Sequence, residues 1–509
     1  MDNKFLLGID IGTSGLKSIL MDQEGNVIAE AAVDYQFLSP QQGYTEQDPE
    51  TWWEATLYSI KKLLQKSRLD AKSILSVGFS GQMHGLVMLD KNGKSIRPAI
   101  LHNDGRSSKQ VEQLNEIFDK HEIFPLAMNR VYSGFLLVSL LWIRENEPEN
   151  YKKICCVMSP KDYVRYKLTG IVATDHSDAS ATLAYDIRKN EWNAYLLELL
   201  EIDINIFPPI YDTCEVVGTI LQSIAQKLSL SKETRVVAGG GDQVMQSIGN
   251  GLFTEGDACV NIGTAGQVSF QSDEPRYSSK LLTNTFVSYQ KGRWYSMGAI
   301  MNAGLCLKWY RSLFEDSNYE EWNKKIVEVK PGSGGLIFLP YLNGERTPCF
   351  EPNLSGSFFG LNLSTGNKEL ARAVMEGVTF ALYDAMNACL EVGLNRPKEL
   401  VVSGGGARSK AWLSIQADIY GIPLKRAKVK EQACVGAAIA AGVGVGVYRG
   451  LSEACRQIVS YEDEIYLPDE TRHILYQEYY EIYKNYRVAS YEQNKKLTII
   501  GRNRDYRKK

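Results

Sequence analysis

Apolar and polar residues follow two kinds of pattern along the chain, and each pattern predicts a different element. Short apolar runs that end in glycine, as in SILSVGFSG, RVVAGGGD and KELVVSGGGA, predict buried strands. Two longer stretches, DPETWWEATLYSIKKLL and NKELARAVMEGVTFALYDAMNACLEVG, have the spacing of amphipathic helices. Strands that alternate with helices predict an α/β architecture with functional residues at the ends of the strands.

Two glycine-rich turns predict a repeated strand-turn-strand unit. The stretches GIDIGTSGLKSIL (8–20) and CVNIGTAG (259–266) share Ile-Gly-Thr, and Asn261 stands where Asp10 stands. Such a turn presents backbone N–H groups to an anion with few side chains in the way. An ordinary β-hairpin explains either turn alone. The repeat, half a chain apart, favours two similar domains that hold a nucleotide polyphosphate between them.

Length and composition narrow the protein class. A chain of 509 residues is long enough for two domains. Its net charge of −3 gives no basic excess that would favour nucleic acid as a partner. Nine cysteines without CxxC pairs indicate reduced thiols. The chain has neither a basic, apolar leader nor an apolar run of membrane-spanning length, so we expect a cytoplasmic protein without a membrane partner.

The stretch AGGGDQVMQSIGNG contains a candidate acid-base residue. Asp242 follows three glycines at the predicted N-cap of a helix. Helix capping alone explains an aspartate at this position. The helix N–H groups also favour the ionised carboxylate, which would allow Asp242 to accept a proton from a substrate hydroxyl.

Two polar stretches are candidates for substrate binding. In SGQMHGLVMLD, Met83 and His84 lie just past a predicted buried strand, between two glycines. A structural histidine is the usual alternative, although the glycines favour a binding turn. In PAILHNDGRSS, the side chains of Asn103, Asp104 and Arg106 offer donors and acceptors suited to a polyol, or simply form a polar turn.

Other nucleotide-binding signals are weaker, with one exception. The NGKS stretch lacks the leading glycine of a Walker motif, since Met88 occupies that position. GVGVGVYRG follows a predicted helix, whereas a dinucleotide-binding motif follows a strand. In VVSGGGARSKAW, a predicted strand runs into three glycines and then a helix. Bare backbone there either admits a phosphate or a flat ring, or forms a tight strand-to-helix turn.

Taken in order, these motifs resemble those of the FGGY carbohydrate kinases. The resemblance extends from about residue 6 to about residue 480, and it is closest to the members that act on D-xylulose. The motifs that carry it are GIDIGTSGLK, YTEQDPETWW, SGQMHGLVMLD, RPAILHNDGR, SPKDYVRYKLTG, AGGGDQ, FLPYLNGERTP, GSFFGLNLSTGNKELARAVMEGV and SGGGARSKAW. The resemblance implies the two-domain α/β fold of actin-like ATPases (ribonuclease H-like), with a nucleotide- and sugar-binding cleft between the domains.

The family resemblance also implies an activity and the residues that perform it. The activity is phosphorylation of a sugar by ATP with Mg²⁺, here of D-xylulose to D-xylulose 5-phosphate. Asp242 would be the catalytic base, and Asp10 would act on the metal-nucleotide as a catalytic residue and Mg²⁺ ligand. The implied sugar contacts are Met83, His84, Asn103 and Asp104. The implied nucleotide contacts are Gly12, Thr13, Ser14, Lys17, Gly263, Thr264, Gly405 and Gly406.

Departures from the family pattern leave the sugar open. His102 replaces a usual tryptophan, Gln243 a usual asparagine, and Val138-Ser139 a usual Pro-Lys pair. Another ketose or polyol, such as ribulose, gluconate or glycerol, is therefore an alternative substrate. A non-catalytic sugar-binding regulator and a non-enzymatic actin-like protein are alternatives of other classes. A regulator would be expected to have lost Asp10 or Asp242, and both are present.

We predict an N-terminal domain over residues 1–248, a C-terminal nucleotide-binding domain over 249–485, and a basic, solvated tail over 486–509. The expected partners are ATP and a small sugar, with no nucleic acid and no membrane. The sequence leaves the oligomeric state open, with a homodimer as one option.

Overall fold

Strands and helices alternate along the chain, as the sequence predicts. The structure, a computed structural model, describes residues 4–313 and 319–505. The strands are β1 Phe5–Ile11, β2 Gly15–Asp22, β3 Val27–Asp34, β4 Glu46–Gln47, β5 Ile74–Gly81, β6 Val87–Leu89, β7 Ala99–Ile100, β8 Cys156–Met158, β9 Thr174–Asp175, β10 Tyr185–Asp186, β11 Glu191–Trp192, β12 Ile210–Tyr211, β13 Val216–Thr219, β14 Arg235–Val237, β15 Gly240–Gly241, β16 Ala258–Ile262, β17 Gly266–Ser272, β18 Asn284–Val287, β19 Trp294–Ile300, β20 Ile337–Leu339, β21 Ser357–Phe359, β22 Leu400–Gly404 and β23 Leu424–Arg426.

The helices vary in length from 4 to 36 residues, and the longest one ends the described chain. They are α1 Pro49–Ser67, α2 Ser108–Lys120, α3 Phe124–Ala127, α4 Leu136–Asn146, α5 Pro148–Tyr151, α6 Pro160–Thr169, α7 His176–Ser180, α8 Ala194–Leu199, α9 Gln222–Leu228, α10 Asp242–Gly249, α11 Gly304–Ser312, α12 Tyr319–Glu328, α13 Asn367–Glu391, α14 Lys410–Tyr420, α15 Gln432–Gly444, α16 Leu451–Ile458 and α17 Glu470–Asp505. Short 3₁₀ helices cover Ala71–Ser73, Ile204–Ile206 and Gly405–Arg408.

Two mixed sheets, one in each half of the chain, contain the predicted repeat. The first has the order β13-β14-β5-β1-β2-β3, and the second has the order β18-β19-β17-β16-β22-β23. In the first sheet, β1 pairs with β2 antiparallel and with β5 parallel. In the second, β16 pairs with β17 antiparallel and with β22 parallel. The two glycine-rich turns are therefore equivalent hairpins at the centres of two similar sheets, which confirms the strand-turn-strand interpretation.

Helix α15 connects the two halves, because it follows the second sheet in sequence but packs on the first. A Cβ added at Gly8 of β1 would lie 2.0 Å from the Cys434 carbonyl oxygen of α15. One added at Gly78 of β5 would lie 1.9 Å from the Ala437 carbonyl oxygen. Only glycine permits backbone to approach this closely. The strand glycines thus let a helix from the second half lie directly on the central strands of the first.

The second sheet has its own core around helix α13. This helix is buried along most of its length and packs against β17, β19 and helix α14. The predicted amphipathic helices therefore exist as α1 and α13, and each covers a sheet with its apolar face. No helix in residues 4–313 or 319–505 is both long and apolar enough to cross a membrane.

The C-terminal stretch differs from the predicted tail. Helix α17 continues through it to Asp505, the last described residue. Arg487 forms an ion pair with the buried Asp384, and Lys495 Nζ lies 2.8 Å from Glu351 Oε2. Tyrosines on one face of the earlier turns are buried, which anchors the helix to the second half. Basic charge alone therefore did not distinguish a free tail from the charged face of a docked helix.

Candidate active site

The first glycine-rich turn is held in place by polar side chains from neighbouring segments. The Tyr35 hydroxyl donates to the Gly12 carbonyl oxygen at 2.7 Å, and Gln82 Nε2 donates to the same oxygen at 3.3 Å. The Thr13 hydroxyl donates to Gln82 Oε1 at 3.1 Å. Ser14 is exposed at the tip of the turn. The hairpin is therefore a rigid turn with an open outer face, as anion binding requires.

Asp10 lies at the end of β1, immediately before this turn. The Ser80 hydroxyl donates to Asp10 Oδ1 at 2.6 Å. Burial raises the pKa of Asp10, whereas the Ser80 hydrogen bond and the charge of Lys17 lower it. Lys17 faces Asp10 across the hairpin and forms an exposed ion pair with Glu431, with Nζ 2.8 Å from Oε2. The predicted Asp10 and Lys17 thus face each other across the first hairpin.

Asp242 is close enough to Asp10 for the charge of one to affect the other. Burial raises the pKa of Asp242 to about 7, and the Asp10 carboxylate adds to the shift. Two sequence expectations are corrected by this geometry. Asp242 is the first residue of helix α10, and Gly241 is the N-cap. Burial of the Asp242 carboxyl also raises its pKa more than the hydrogen bonds from Gln243 lower it. The start of the helix therefore does not keep this carboxylate fully ionised at neutral pH.

Met83 and His84 lie together just after β5, next to the glycine shelf, the three glycines 239–241 that precede Asp242. A Cβ added at Gly241 would lie 2.8 Å from Met83 Sδ. His84 has a φ of 71°, which is uncommon for a residue other than glycine. Its Nδ1 lies 2.7 Å from the Ala181 carbonyl oxygen and therefore donates to it. Burial lowers the pKa of His84 to about 4, so the ring is neutral and Nε2 is a hydrogen-bond acceptor.

Two aromatic residues from the second sheet complete this part of the site. The Tyr295 hydroxyl of β19 lies 3.7 Å from Met83 Sδ, and the charge of Asp242 contributes to its raised pKa. The Phe286 ring of β18 lies 5.8 Å from the His84 ring. Sequence reasoning missed both residues, since each lies in an ordinary buried strand pattern with no local signal. The site therefore takes its walls from both halves of the chain.

The NDGR turn is held by hydrogen bonds to its own neighbours. The Asp104 carboxylate accepts hydrogen bonds from the Thr45 backbone N–H at 2.5 Å and from Arg106 Nη2 at 2.8 Å. Asn103 is exposed. Within the described residues, no hydrogen bond joins Asp104 to Met83, His84 or Asp242. His102, which stands just before the NDGR turn, contributes to the lowered pKa of His84. His102 therefore lies near the predicted sugar contact His84.

A cavity of about 600 Å³ lies beneath the second hairpin. Gly263 and Thr264 of that hairpin line it together with Gly405 and Gly406. All four were predicted as nucleotide contacts, and the structure brings them together. The other lining residues were not predicted as individual contacts, although Ile262, Met375, Arg408, Ser409 and Trp412 lie within the quoted motifs. They are mostly apolar or long side chains: Ile262, Gly304, Leu305, Leu307, Lys308, Asn323, Met375, Arg408, Ser409 and Trp412.

The shape and lining of this cavity fit a nucleoside. Apolar walls suit a flat base, and the glycine backbone allows a phosphate or ribose to approach closely. The Ser409 hydroxyl donates to Asn323 Oδ1 at 2.8 Å and closes one side. The cavity lies at the second hairpin, whereas Asp10 lies at the end of β1 beside the first hairpin.

Comparison with known proteins gives a consistent result. Models of the FGGY family of carbohydrate kinases match the chain at residues 5–249 (N-terminal domain) and 258–445 (C-terminal domain). A xylulose kinase of Staphylococcus epidermidis is 38% identical over 502 residues, which cover 98% of each chain. A xylulose kinase of Bacillus subtilis is 35% identical and covers 98% of this chain and 100% of its own.

Solved structures agree with the sequence relatives. The ligand-bound xylulose kinase of Lactobacillus acidophilus superposes with a TM-score of 0.92 at 26% identity, covering 97% of this chain and 100% of its own. The predicted two-domain fold is thereby confirmed. With family models matching both halves and close relatives matching nearly the whole chain, this protein belongs to the FGGY family of carbohydrate kinases.

Proposed function

We propose that this kinase transfers the γ-phosphoryl group of ATP to the terminal hydroxyl of D-xylulose, giving D-xylulose 5-phosphate and ADP. The observation that carries the proposal is the proximity of two partly buried carboxylates, Asp10 and Asp242, at the first glycine hairpin, together with a nucleoside-sized cavity at the second hairpin. The choice of D-xylulose rests on the relatives named xylulose kinase, which align with nearly the whole chain.

Asp242 is proposed as the general base. A carboxyl whose pKa lies near 7 is partly ionised at neutral pH and still basic enough to accept a proton. The sugar hydroxyl oxygen would form a bond to the γ-phosphorus while the bond from phosphorus to the ADP oxygen breaks. The hydroxyl proton would pass to Asp242 late in this transfer, because the transition state is loose.

Asp10 is proposed to hold the metal-nucleotide. Its donors fit Mg²⁺, since hard cations prefer carboxylate oxygens, directly or through water. When bound with ATP, Mg²⁺ neutralises charge on the phosphates. The Ser80 hydrogen bond fixes the orientation of the Asp10 carboxylate toward the hairpin. Thr13 and the hairpin N–H groups would position the γ-phosphate, and Lys17 would add a positive charge at the same hairpin.

Sugar recognition is proposed for the surface formed by Met83, His84 and Tyr295. Nε2 of the neutral His84 would accept a hydrogen bond from a sugar hydroxyl. Asn103 and Asp104 remain proposed sugar contacts. The cavity that contains Gly405 and Gly406 would hold the adenosine, with the phosphates directed toward Asp10.

The test is a coupled ADP-release assay of the purified protein with ketoses, aldoses and polyols. D-Xylulose should give the highest kcat/KM, because a site that hydrogen-bonds specific hydroxyls rejects an epimer that leaves its polar groups unpaired. If D-ribulose, glycerol or gluconate exceeds D-xylulose by about tenfold or more, the choice of substrate is wrong. Membership of the carbohydrate kinase family would be unaffected.

A further inference from the structure

A cluster of charged side chains lies buried beneath the glycine shelf that precedes Asp242. Lys161 Nζ lies 2.6 Å from Asp162 Oδ1, 2.7 Å from Asp175 Oδ1 and 3.0 Å from Asp178 Oδ2. Arg165 Nη1 lies 2.8 Å from Asp162 Oδ1. All five side chains are fully buried, and they come from α6 and from the segment around α7.

This cluster is not explained by stability alone. Removing charges from water costs several kcal/mol per ion, and apolar residues of similar size often replace buried ion pairs at no loss of stability. Burial raises the pKa of Asp178 well above its ordinary value, which favours its neutral form. The charges of Lys161 and Arg165 are then balanced by those of Asp162 and Asp175. The ammonium of Lys161 occupies the position between the three carboxyl groups, so the cluster is an ion-pair network.

The network reaches the shelf through Ser177. The Ser177 backbone N–H donates to Asp175 Oδ2 at 2.7 Å, and its hydroxyl donates to the same oxygen. The Ser177 Oγ in turn accepts a hydrogen bond from the Gly241 backbone N–H at 2.8 Å. Gly241 is the N-cap of the helix that begins with Asp242. A continuous chain of contacts therefore runs from Lys161 to the backbone that carries Asp242.

Two further contacts hold the surrounding backbone. Arg165 Nη1 donates to the Ala238 carbonyl oxygen at 2.6 Å, three residues before Gly241. A Cβ added at Gly81 would lie 2.7 Å from Lys161 Cβ, so the lysine stem lies directly beneath the end of β5. Gly81 pairs with Gly241 and is followed by Gln82, Met83 and His84. The network therefore supports both strands that end at the site.

We propose that Ser177, fixed by Asp175 and Lys161, is a positioning residue that sets the Gly241 backbone and thereby the place of Asp242. This inference rests on the proposed role of Asp242 as the base. Ser177 touches neither substrate nor nucleotide in this assignment. Its loss should therefore lower turnover more than it weakens sugar binding, because misplacement of a reacting group costs rate.

The experiment compares Ser177→Ala with Ser180→Ala in the full-length enzyme. Ser180 lies on the same helix and is equally buried. Its hydroxyl donates to the Ser177 carbonyl oxygen and accepts from the Val287 backbone N–H, and it has no hydrogen bond to Gly241 among the described residues. Two more variants separate structure from positioning. Ser177→Cys keeps the volume but replaces the oxygen with a weak acceptor, and Ser177→Thr keeps the oxygen. The measurements are kcat, the sugar KM, the melting temperature and the exchange rate of the Gly241 amide hydrogen.

Ser177→Ala and Ser177→Cys should lower kcat by about tenfold or more with little change in the sugar KM, and should speed exchange at Gly241. Ser177→Thr should restore much of the loss, and Ser180→Ala should retain kcat. If Ser177→Ala does not fold, Ser177→Cys provides the comparison. The inference is overturned if kcat stays within about twofold of the wild type, or if Ser180→Ala lowers it as much. An inactive wild type would instead overturn the proposed function.

Discussion

At the scale of single residues, Asp242 combines a position that is costly for folding with one that is useful for chemistry. Its carboxyl is removed from water beside a second carboxylate, and both effects raise its pKa. Asp242→Asn keeps the shape but cannot accept a proton. Turnover should fall by about two or more orders of magnitude, the range for loss of a general base. Steady-state kinetics of folded protein test this, and near-normal turnover would contradict the assignment.

The same shift predicts how stability depends on pH. The pKa of Asp242 is raised from 3.8 to about 7 in the folded state, so folding favours the protonated form. Below the unfolded pKa both states are protonated and there is no penalty. The penalty grows as the pH rises from the unfolded pKa of 3.8 to the folded pKa of about 7, and it is complete above the folded pKa. The ionised Asp242 carboxylate should therefore lower the free energy of unfolding of the wild type at alkaline pH.

Asp242→Asn removes that penalty, so its melting temperature should exceed that of the wild type at about pH 8, by about 2 °C. The difference should shrink toward about pH 5. Asp463→Asn, at a fully exposed aspartate, is the control and should show no such trend. A lower melting temperature for Asp242→Asn at about pH 8 would show that its carboxylate stabilises the fold, contrary to this argument.

At the scale of elements, the sequence pattern predicted those strands, helices and turns whose conformation depends on neighbouring residues in the chain. Apolar runs that end in glycine gave the strands β5 and β22, and helical periodicity gave α1 and α13. The two hairpins were predictable because backbone conformation at Gly-Thr turns depends on near neighbours. The packing of α15 was not predictable. Its Ala and Gly residues indicate a face of small side chains, but they do not indicate which strands or helices that face contacts.

The close contact between α10 and α15 gives an element-scale prediction. A Cβ added at Gly436 of α15 would lie 1.9 Å from the Met245 backbone carbonyl oxygen of α10. Backbone cannot yield as a side chain would, so Gly436→Ala should separate the helices and destabilise the protein by about 1–3 kcal/mol. Because α10 begins with Asp242, turnover should fall as well. Urea unfolding and kinetics measure both.

Gly450→Ala is the matched control for this change. A Cβ at Gly450 would meet nothing within 4 Å, and its extended backbone suits any residue. This variant should unfold at nearly the wild-type urea concentration. Equal stability of the Gly436→Ala and Gly450→Ala variants would mean that the helices can move apart without cost.

At the scale of the whole molecule, the site joins parts that are far apart in sequence. The nucleoside cavity belongs to the second half, whereas Met83 and His84 belong to the first. Tyr295 crosses this division and lies beside Met83. The sequence indicated Asp10, Asp242 and the glycine turns because each has a local motif. It did not indicate Tyr295 or Ser177, whose roles depend on tertiary contacts with no counterpart in local pattern.

This division predicts that the two substrates can be weakened separately. A Cβ at Gly405 would meet only the Ile262 carbonyl oxygen, at 3.8 Å, so a larger residue fits the backbone and projects into the nucleoside cavity. Gly405→Val should raise the KM for ATP by about tenfold or more, with a smaller increase for Gly405→Ala. Sugar binding without nucleotide, measured by calorimetry, should be unchanged for both.

His84→Ala should have the opposite effect. Loss of one buried hydrogen bond to the sugar costs about 1–3 kcal/mol, so kcat/KM for the sugar should fall by about tenfold to a hundredfold. The KM for ATP and the slow hydrolysis of ATP without sugar should change little, because the ring faces Phe135 and Phe286, away from the nucleoside cavity. Steady-state kinetics with one substrate saturating separates the two effects. The two binding sites are not independent if Gly405→Val raises the sugar KM as much as the ATP KM, or if His84→Ala raises the ATP KM as much as the sugar KM. Either result would overturn the assignment of the cavity to the nucleotide.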